Sequence, residues 1–353
     1  MLESLLRKMK NNLSFIIIIA NYNGEKYLSR CLESIKNLDY KNFKVCVVDD
    51  GSIDTSMEIL ESFKNQFDLE IICQNHGGAS KARNNAIKRF KNNFDVLLFL
   101  DNDTEIDKYC LNEINKQFIS SQEIDSVQCL LIDFENRDVI QSNGMFLIPH
   151  VCWGVSYQGG AYLRNLNKKS IPCAAISAAL AVRSYVFDKV GYFDEKLAVS
   201  TEDLDFTWRM WVLGFKIFNS PDAVVYHFSK GIAQRKEMNV NLESQYFHIT
   251  KNSFRTLIKN YSLKSLFWFL PQCFLINFLR AVLVLIKRRD TSSLKSFFKA
   301  IYWNLTNLNE TLKIRKKIQK SRVKSDKSIY NTVMIKDSLL DIYEKYFKQT
   351  KLL

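Results

Sequence analysis

The sequence predicts an α/β protein on a mostly parallel sheet, and three observations predict it. Between Phe15 and Leu100 short apolar runs alternate with segments of helical periodicity. Each run ends in a polar turn rich in Asp, Asn and Gly. Only 4 prolines and 11 glycines in 353 residues leave little material for long flexible linkers.

The four runs are Phe15–Ala20, Lys44–Asp49, Glu70–Cys73 and Val96–Leu100; Tyr27–Ile35, Thr55–Phe63 and Ala79–Phe90 between them carry apolar residues at helical spacing. Strands buried on both faces read as continuous apolar runs, and alternation with helices gives a parallel sheet covered on both sides. Ligands of such sheets lie outside the carboxyl ends of the strands. The turns to inspect for chemistry are therefore Asn21-Tyr22-Asn23-Gly24, Asp50-Gly51-Ser52-Ile53-Asp54, Asn75-His76-Gly77-Gly78 and Asp101-Asn102-Asp103. Further strands are expected at Ser126–Ile132, Ala174–Val182 and Ala223–His227, and a helix at Thr201–Leu213. The length exceeds one ordinary domain, so a catalytic domain is placed at 1–240 and a C-terminal region at 241–353.

Charge separates the same two regions. The net charge is +13, yet residues 251–353 hold 22 Lys/Arg against 6 Asp/Glu, which leaves residues 1–250 slightly acidic. The eight cysteines are never closer than 15 residues along the chain, which excludes CxxC-type zinc and redox motifs. Several sit in apolar runs, as in Val45-Cys46-Val47, and read as buried reduced thiols of a reducing compartment. Arg7, Lys8 and Lys10 precede an apolar stretch shorter than a signal-peptide core, so export by that route is not expected.

Asp101 and Asp103 follow a fully apolar strand and present oxygen ligands of the kind Mg²⁺ or Mn²⁺ prefers. An isolated pair of this kind also serves simply to end a strand and cap a helix. Asp50 can accept a hydrogen bond from a base ring N–H and Tyr22 can offer a stacking face, against the plain alternatives of a cap and a surface aromatic. Glu202, Asp203 and Asp205 complement the dipole of a helix they open, a field that also lowers carboxylate basicity. A sugar hydroxyl nonetheless needs a carboxylate within hydrogen-bond reach to take its proton. His227 ends the run Ala223–Tyr226, as a structural histidine or as a group on a metal or diphosphate. Arg83 pairs with phosphate or covers its helix.

Taken together and in order, "IIIIANYNGEKYLSRCLESI", "VVDDGSIDTSMEIL", "NHGGASKARNNAI", "LLFLDNDTEI", "FDKVGYFDE" and "TEDLDFTWRMWVLGFKI" followed by "PDAVVYH" make residues 14–231 resemble the inverting family 2 glycosyltransferases of the GT-A fold. The resemblance implies that Tyr22 and Asp50 contact the nucleotide base, that Asp101 and Asp103 bind Mn²⁺ or Mg²⁺ and the diphosphate, and that Asp203 is the general base with Glu202 beside it. It places His227 within reach of the metal or diphosphate, and Arg83, through its phosphate-pairing guanidinium, is taken as a further nucleotide-sugar contact. It implies direct displacement of a nucleotide-diphosphate, UDP or dTDP being favoured, by an acceptor hydroxyl. The QxxRW motif of processive synthases is missing, Trp208-Arg209-Met210-Trp211 being different, which favours single-sugar transfer. "NHGGASKARN" and "CAAISAAL" lack glycines common among relatives, so the acceptor pocket is expected to differ.

The tail carries "SLFWFLPQCFLINFLRAVLVLI" at Ser265–Ile286, then Lys287-Arg288-Arg289 and "SLKSFFKAIYWNLTNL". An arginine near the centre of a spanning helix costs roughly 2.5–3.5 kcal/mol, and Pro271 interrupts the run, so an interfacial or re-entrant segment on an anionic membrane is favoured over crossing it or packing within the protein or a homodimer. Nucleic acid is not expected, because the apolar residues are too dense for a phosphate-tracking surface. The expectation is thus a cytoplasmic enzyme at the inner face of the cell membrane, with a glycan or lipid-linked acceptor. A sugar nucleotidyltransferase would show a glycine-rich basic loop where this chain has "NYNGEKY". A non-catalytic nucleotide-sugar or glycan-binding scaffold is the alternative outside enzymes.

Overall fold

The computed structural model describes residues 12–198, 201–228 and 242–336. Arg7, Lys8, Lys10 and the expected boundary at 240 lie outside them. The chain divides into two compact units. The first holds residues up to Met145, Ser156–Glu195 and the strand that follows Phe215; the second holds Phe146–Val155, Lys196–Gly214 and the helices from Leu242 onward.

In chain order the first unit begins β1 (Phe15–Asn21), α1 (Leu28–Lys36), β2 (Phe43–Asp49), α2 (Ser56–Phe63), β3 (Leu69–Cys73), α3 (Ala79–Phe90), β4 (Val96–Asp101) and β5 (Thr104–Ile106). It continues with α4 (Cys110–Ser120), β6 (Ser126–Asp133) and β7 (Ile140–Ser142), then a ribbon of β8 (Met145–Ile148) with β9 (Trp153–Ser156) that falls mostly in the second unit, and, again in the first, β10 (Ala179–Arg183) and α5 (Val186–Val190). Then come α6 (Glu202–Val212) of the second unit and β11 (Ile217–His227) of the first. The sheet runs β3-β2-β1-β4-β10-β6-β11-β5, with β7 on β6. β3, β2, β1 and β4 are parallel to one another; β10 is antiparallel to both its neighbours, while β6 and β11 are parallel.

The expected βα alternation is present because the apolar runs have both faces to bury. Ile16, Ile17, Ile18 and Ile19 of β1 are all inaccessible to water. Ile17 and Ile19 belong to a core with Val45, Val47, Leu98 and Leu100, closed by Leu28, Leu32 and Ile35 of α1. Seven of the cysteines are buried, Cys73 is exposed, and all eight are free thiols. Burial pushes the Cys31 and Cys46 thiols up to about 12.

Two strands differ in extent from expectation. Ala174–Ala178 lies outside β10: Ala174 exchanges backbone hydrogen bonds with Met145, and the Ile176 amide donates to the Gln128 side chain (2.7 Å). β11 starts at Ile217 rather than Ala223, with its register against β6 shifted between Ser220 and Val224. Pro221 falls in that shift, where a residue without an N–H costs no ladder bond. α4, β5 and the short β7–β9 were not foreseen.

The second unit is helical: α6, α7 (Leu242–Asn260), α8 (Leu263–Arg288), α9 (Ser292–Thr306), α10 (Leu308–Lys320) and α11 (Asp326–Val333). Ser262 caps α8 by accepting from the Ser265 amide (3.4 Å), and Arg289 ends it in the left-handed conformation at φ 51°.

Candidate functional site

The carboxyl ends of β1, β2 and β4 meet at Asn21. Its side-chain nitrogen donates to Asp49 (2.9 Å) and Ser52 (3.2 Å), and its oxygen accepts from Asn102 (2.7 Å). The turn between the two DxD aspartates is thereby tied to the turns after the first two strands. Gly24 permits this: a Cβ there would overlap Asn21 Oδ1 and Asn102 Nδ2.

Asp101 and Asp103 lie on one rim with His227, and a ligand atom from each falls within 4.8 Å of the others. Strand register makes the meeting. β5 leaves directly after Asp103 and pairs antiparallel with the end of β11, which sets His227 opposite Thr104. The Phe228 amide donates to the Asp103 carbonyl (2.9 Å). His227 Nε2 lies 3.3 Å from Asp103 Oδ1, and its Nδ1 lies 2.9 Å from Gln141 Oε1. Because the Gln141 amide nitrogen donates to the His227 carbonyl (2.9 Å) and to Asp133 (3.3 Å), its oxygen is an acceptor, so His227 Nδ1 carries a proton and Nε2 faces Asp103. Burial works to lower the imidazole pKa, but the hydrogen bond and charge of Asp103, then the charges of Asp101 and Asp133, outweigh it and hold the pKa above the ordinary value. Two carboxylates and an imidazole held in orientation by the Gln141 amide suit a divalent ion such as Mn²⁺.

Arg83 sits in α3, buried, with Nη2 2.7 Å from Asp101 Oδ1. It orients one DxD carboxylate and adds positive charge at the rim, a role its helical position does not announce.

Tyr22 and Asp50 form a second cluster on the same rim. Tyr22 is half exposed, with its ring 4.2 Å from that of His76. Asp50 is buried and accepts from Gln74 Nε2 (2.5 Å), Gly77 N (2.9 Å) and Gly78 N (2.7 Å), with His76 Nδ1 3.0 Å from its Oδ2. A carboxylate offers about four lone-pair sites, so these donors fill it and Asp50 shapes the His76-Gly77-Gly78 loop. Gln74 in turn accepts from Asn85. Asn21, Gln74, His76 and Gln141 were missed as site residues. The first three sit on or beside predicted rim turns, which was the available signal; Gln141, in a three-residue strand of an irregular region, gave none.

Glu202 and Asp203 open α6 in the second unit. Glu202 is buried and accepts from the Thr201 amide (3.1 Å), and Asp203 Oδ1 accepts from the Leu204 amide (2.7 Å). Asp205 turns inward, wholly buried, where Lys259 (2.8 Å), Arg209 (2.9 Å) and Asn260 (3.0 Å) donate to it. It is a packing residue that ties α6 to the end of α7.

Residues 16–190 match the family model described as Glycosyl transferase family 2. Among curated proteins, the poly(ribitol-phosphate) beta-N-acetylglucosaminyltransferase TarS of Staphylococcus aureus is 30% identical over 223 residues, 62% of this chain and 36% of that one. The minor teichoic acid biosynthesis protein GgaA of Bacillus subtilis is 34% identical over 115 residues, 31% of this chain and 26% of that one. The chain thus spans about a third of the length of these relatives or less. Among solved structures, S. aureus TarS 1-349 in complex with UDP-GlcNAc aligns with TM-score 0.54 at 22% identity, covering 81% of this chain and 79% of that one. GalNAc-T7 with UDP, GalNAc and Mn²⁺ aligns with TM-score 0.63 at 15% identity, covering 96% and 58%. These likenesses show the GT-A fold.

Proposed function

Because the chain belongs to glycosyl transferase family 2 through residues 16–190, we propose that it is an inverting, non-processive glycosyltransferase that moves a sugar from a nucleotide-diphosphate donor to an acceptor hydroxyl in cell-surface glycan assembly. The observation that carries this reading is the meeting of Asp101, Asp103 and His227 at the carboxyl edge of the sheet. UDP-sugars are the favoured donors, supported by the UDP-GlcNAc complex of TarS. The poly(ribitol-phosphate) and teichoic-acid relatives support a polyol-phosphate or glycan acceptor, and the basic, apolar C-terminal region supports a lipid-linked one.

In this reading Asp101, Asp103 and His227 hold Mn²⁺ or Mg²⁺, which when bound neutralises charge on the departing nucleotide diphosphate. Arg83 keeps Asp101 oriented through their ion pair. Tyr22 presents its exposed ring to the base, and the loop held by Asp50 shapes the base pocket. Asp203 takes the proton of the acceptor hydroxyl, whose oxygen attacks the anomeric carbon as the bond to the phosphate oxygen breaks; Glu202 contacts the acceptor. Domains at 1–240 and 241–353 complete the reading, with the basic C-terminal region meeting the cytoplasmic face of an anionic membrane. α8, whose most apolar stretch of 18 residues has mean hydropathy 2.0, supports that contact.

Turnover of UDP-sugars with and without Mn²⁺ tests the proposal, with Asp203→Asn and Asp103→Asn as variants. Asp203→Asn should lower kcat by about 10²–10⁴ while leaving donor binding intact, and Asp103→Asn should raise the Mn²⁺ requirement. Binding of UDP-sugar without any metal-dependent turnover, unchanged by Asp203→Asn, would instead mark a nucleotide-sugar-binding scaffold; pyrophosphate release from UTP and a sugar phosphate would mark a nucleotidyltransferase.

A further inference from the structure

Helix α8 is amphipathic in the inverted sense. Its inward stripe contains Asn277 and Arg280 beside Cys273, Ala281 and Val284. The Arg280 guanidinium, wholly inside the unit, lies 4.9 Å from the ring centre of Tyr246 and 5.2 Å from that of Trp153. The outward stripe is apolar: Phe267 is 85% exposed, Trp268 67% and Ile286 68%, with Phe274, Leu275 and Leu279 between. Phe298, Tyr302 and Leu305 of α9 are likewise exposed. The arginine that counts against crossing a membrane in the linear sequence is thus removed from the outward face, which is left suited to hydrocarbon.

Charge selects the partner for this face. Lys287, Arg288 and Arg289 at the end of α8, and Lys295 and Lys299 on α9, are all exposed. A second copy would bring the same cations against them, whereas an anionic leaflet brings phosphates at the depth where an interfacial helix keeps its basic residues.

Beside Pro271 the surface opens into a groove of about 550 Å³, lined by Ile258, Leu270, Pro271, Phe274, Ile301 and Leu305 among others. Its polar lining residue is Asn304, whose amide nitrogen donates to the Lys251 carbonyl (3.1 Å) and the Ala300 carbonyl (2.9 Å). The size is that of a small-ligand site, and the lining offers hydrocarbon contact with little hydrogen bonding. Phe274 and Leu305 belong both to the groove and to the exposed apolar stripe, so a chain in the groove continues into whatever covers that stripe.

We propose that α8 and α9 rest apolar side outward in an anionic bilayer leaflet, and that the groove beside Pro271 takes up a hydrocarbon chain of a bilayer phospholipid. The inference rests on the reading of the C-terminal region as a membrane contact, and deepens it by naming the face and the ligand.

The test uses the full chain and vesicles of phosphatidylcholine with about one third phosphatidylglycerol, doped with a phospholipid carrying a diazirine at mid-chain. The chain should sediment with these vesicles, more weakly at high salt, and photo-adducts should concentrate on Ile258, Leu270 and Ile301, the groove residues that lie outside the exposed stripe. Leu305→Trp, which fills the groove from an exposed position, should cut those adducts about fivefold or more with vesicle binding nearly unchanged. Phe267→Ser with Trp268→Ser should weaken vesicle binding about tenfold or more. Sedimentation with adducts spread along the outer stripe and none in the groove would overturn the groove assignment alone. No sedimentation of the wild-type chain would overturn the membrane reading, and a vesicle-free dimer that protects Phe267 and Trp268 from labelling would replace the bilayer with a second copy.

Discussion

Replacing Asp205 by Asn should destabilise the second unit severely. Asp205 is wholly buried, and one of its oxygens receives Lys259 at 2.8 Å and Asn260 at 3.0 Å while the other receives Arg209 at 2.9 Å. Lys259 is itself 1% exposed and Arg209 5% by side chain, so water does little to screen the pairs. Asn keeps the shape and deletes the charge, so two buried cations lose the carboxylate they share. Removing one partner of a buried ion pair costs about 3–5 kcal/mol, and a unit of this size loses about 2–4 °C per kcal/mol, giving a Tm lowered by roughly 6–20 °C. Calorimetric unfolding of Asp205→Asn, Lys259→Met and the double variant measures it. The double variant should be less damaged than the two single losses added, by about 1–3 kcal/mol, because Asp205→Asn strands the Lys259 ammonium that Lys259→Met removes. Additive losses, or a Tm shift under about 2 °C for Asp205→Asn, would refute the assignment of this network as the tie between α6 and α7.

Three further outcomes are expected. His227 has its pKa held above 6.5, chiefly by Asp103 working against burial, and a metal needs it neutral, so Mn²⁺ affinity should rise as pH climbs through the range above 6.5 and then level off. His227→Gln should flatten that profile in titrations at a series of pH values; an unchanged slope would exclude His227 from the metal site. In the metal-free protein the same raised pKa gives a stability contribution complete below about pH 6.5 and lost as pH rises through the folded value, so Tm should show that loss in wild type and not in His227→Gln. Gly24→Ala should break the Asn21–Asn102 hydrogen bond and cost about 1–3 kcal/mol in denaturant unfolding, with weaker UDP-sugar binding.

Much of the first unit was legible in the sequence, because buried parallel strands must be continuous apolar runs and the turns that leave them must be polar. β1 to β4 and their helices stand within a residue or so of expectation, and the DxD turn was placed on the correct rim. β11 begins at Ile217, ahead of the expected Ala223, and the register shift that absorbs Pro221 is a property of the pairing with β6. Asp50 was read as open to a ligand, whereas the loop amides of Gly77 and Gly78, 27 and 28 residues away, fill it.

The sequence by itself determined which residue types stand at the ends of the strands, since local alternation of apolar runs and polar turns depends only on near neighbours. Tertiary structure decided which of them meet. His227 reaches Asp103 only through antiparallel register between β5 and β11, and Arg83 reaches Asp101 only because α3 covers that end of the sheet. Arg280 faces inward, where Tyr246 and Trp153 offer it aromatic faces. Contacts between residues distant along the chain are set by how packed elements align, and no window of sequence contains that alignment.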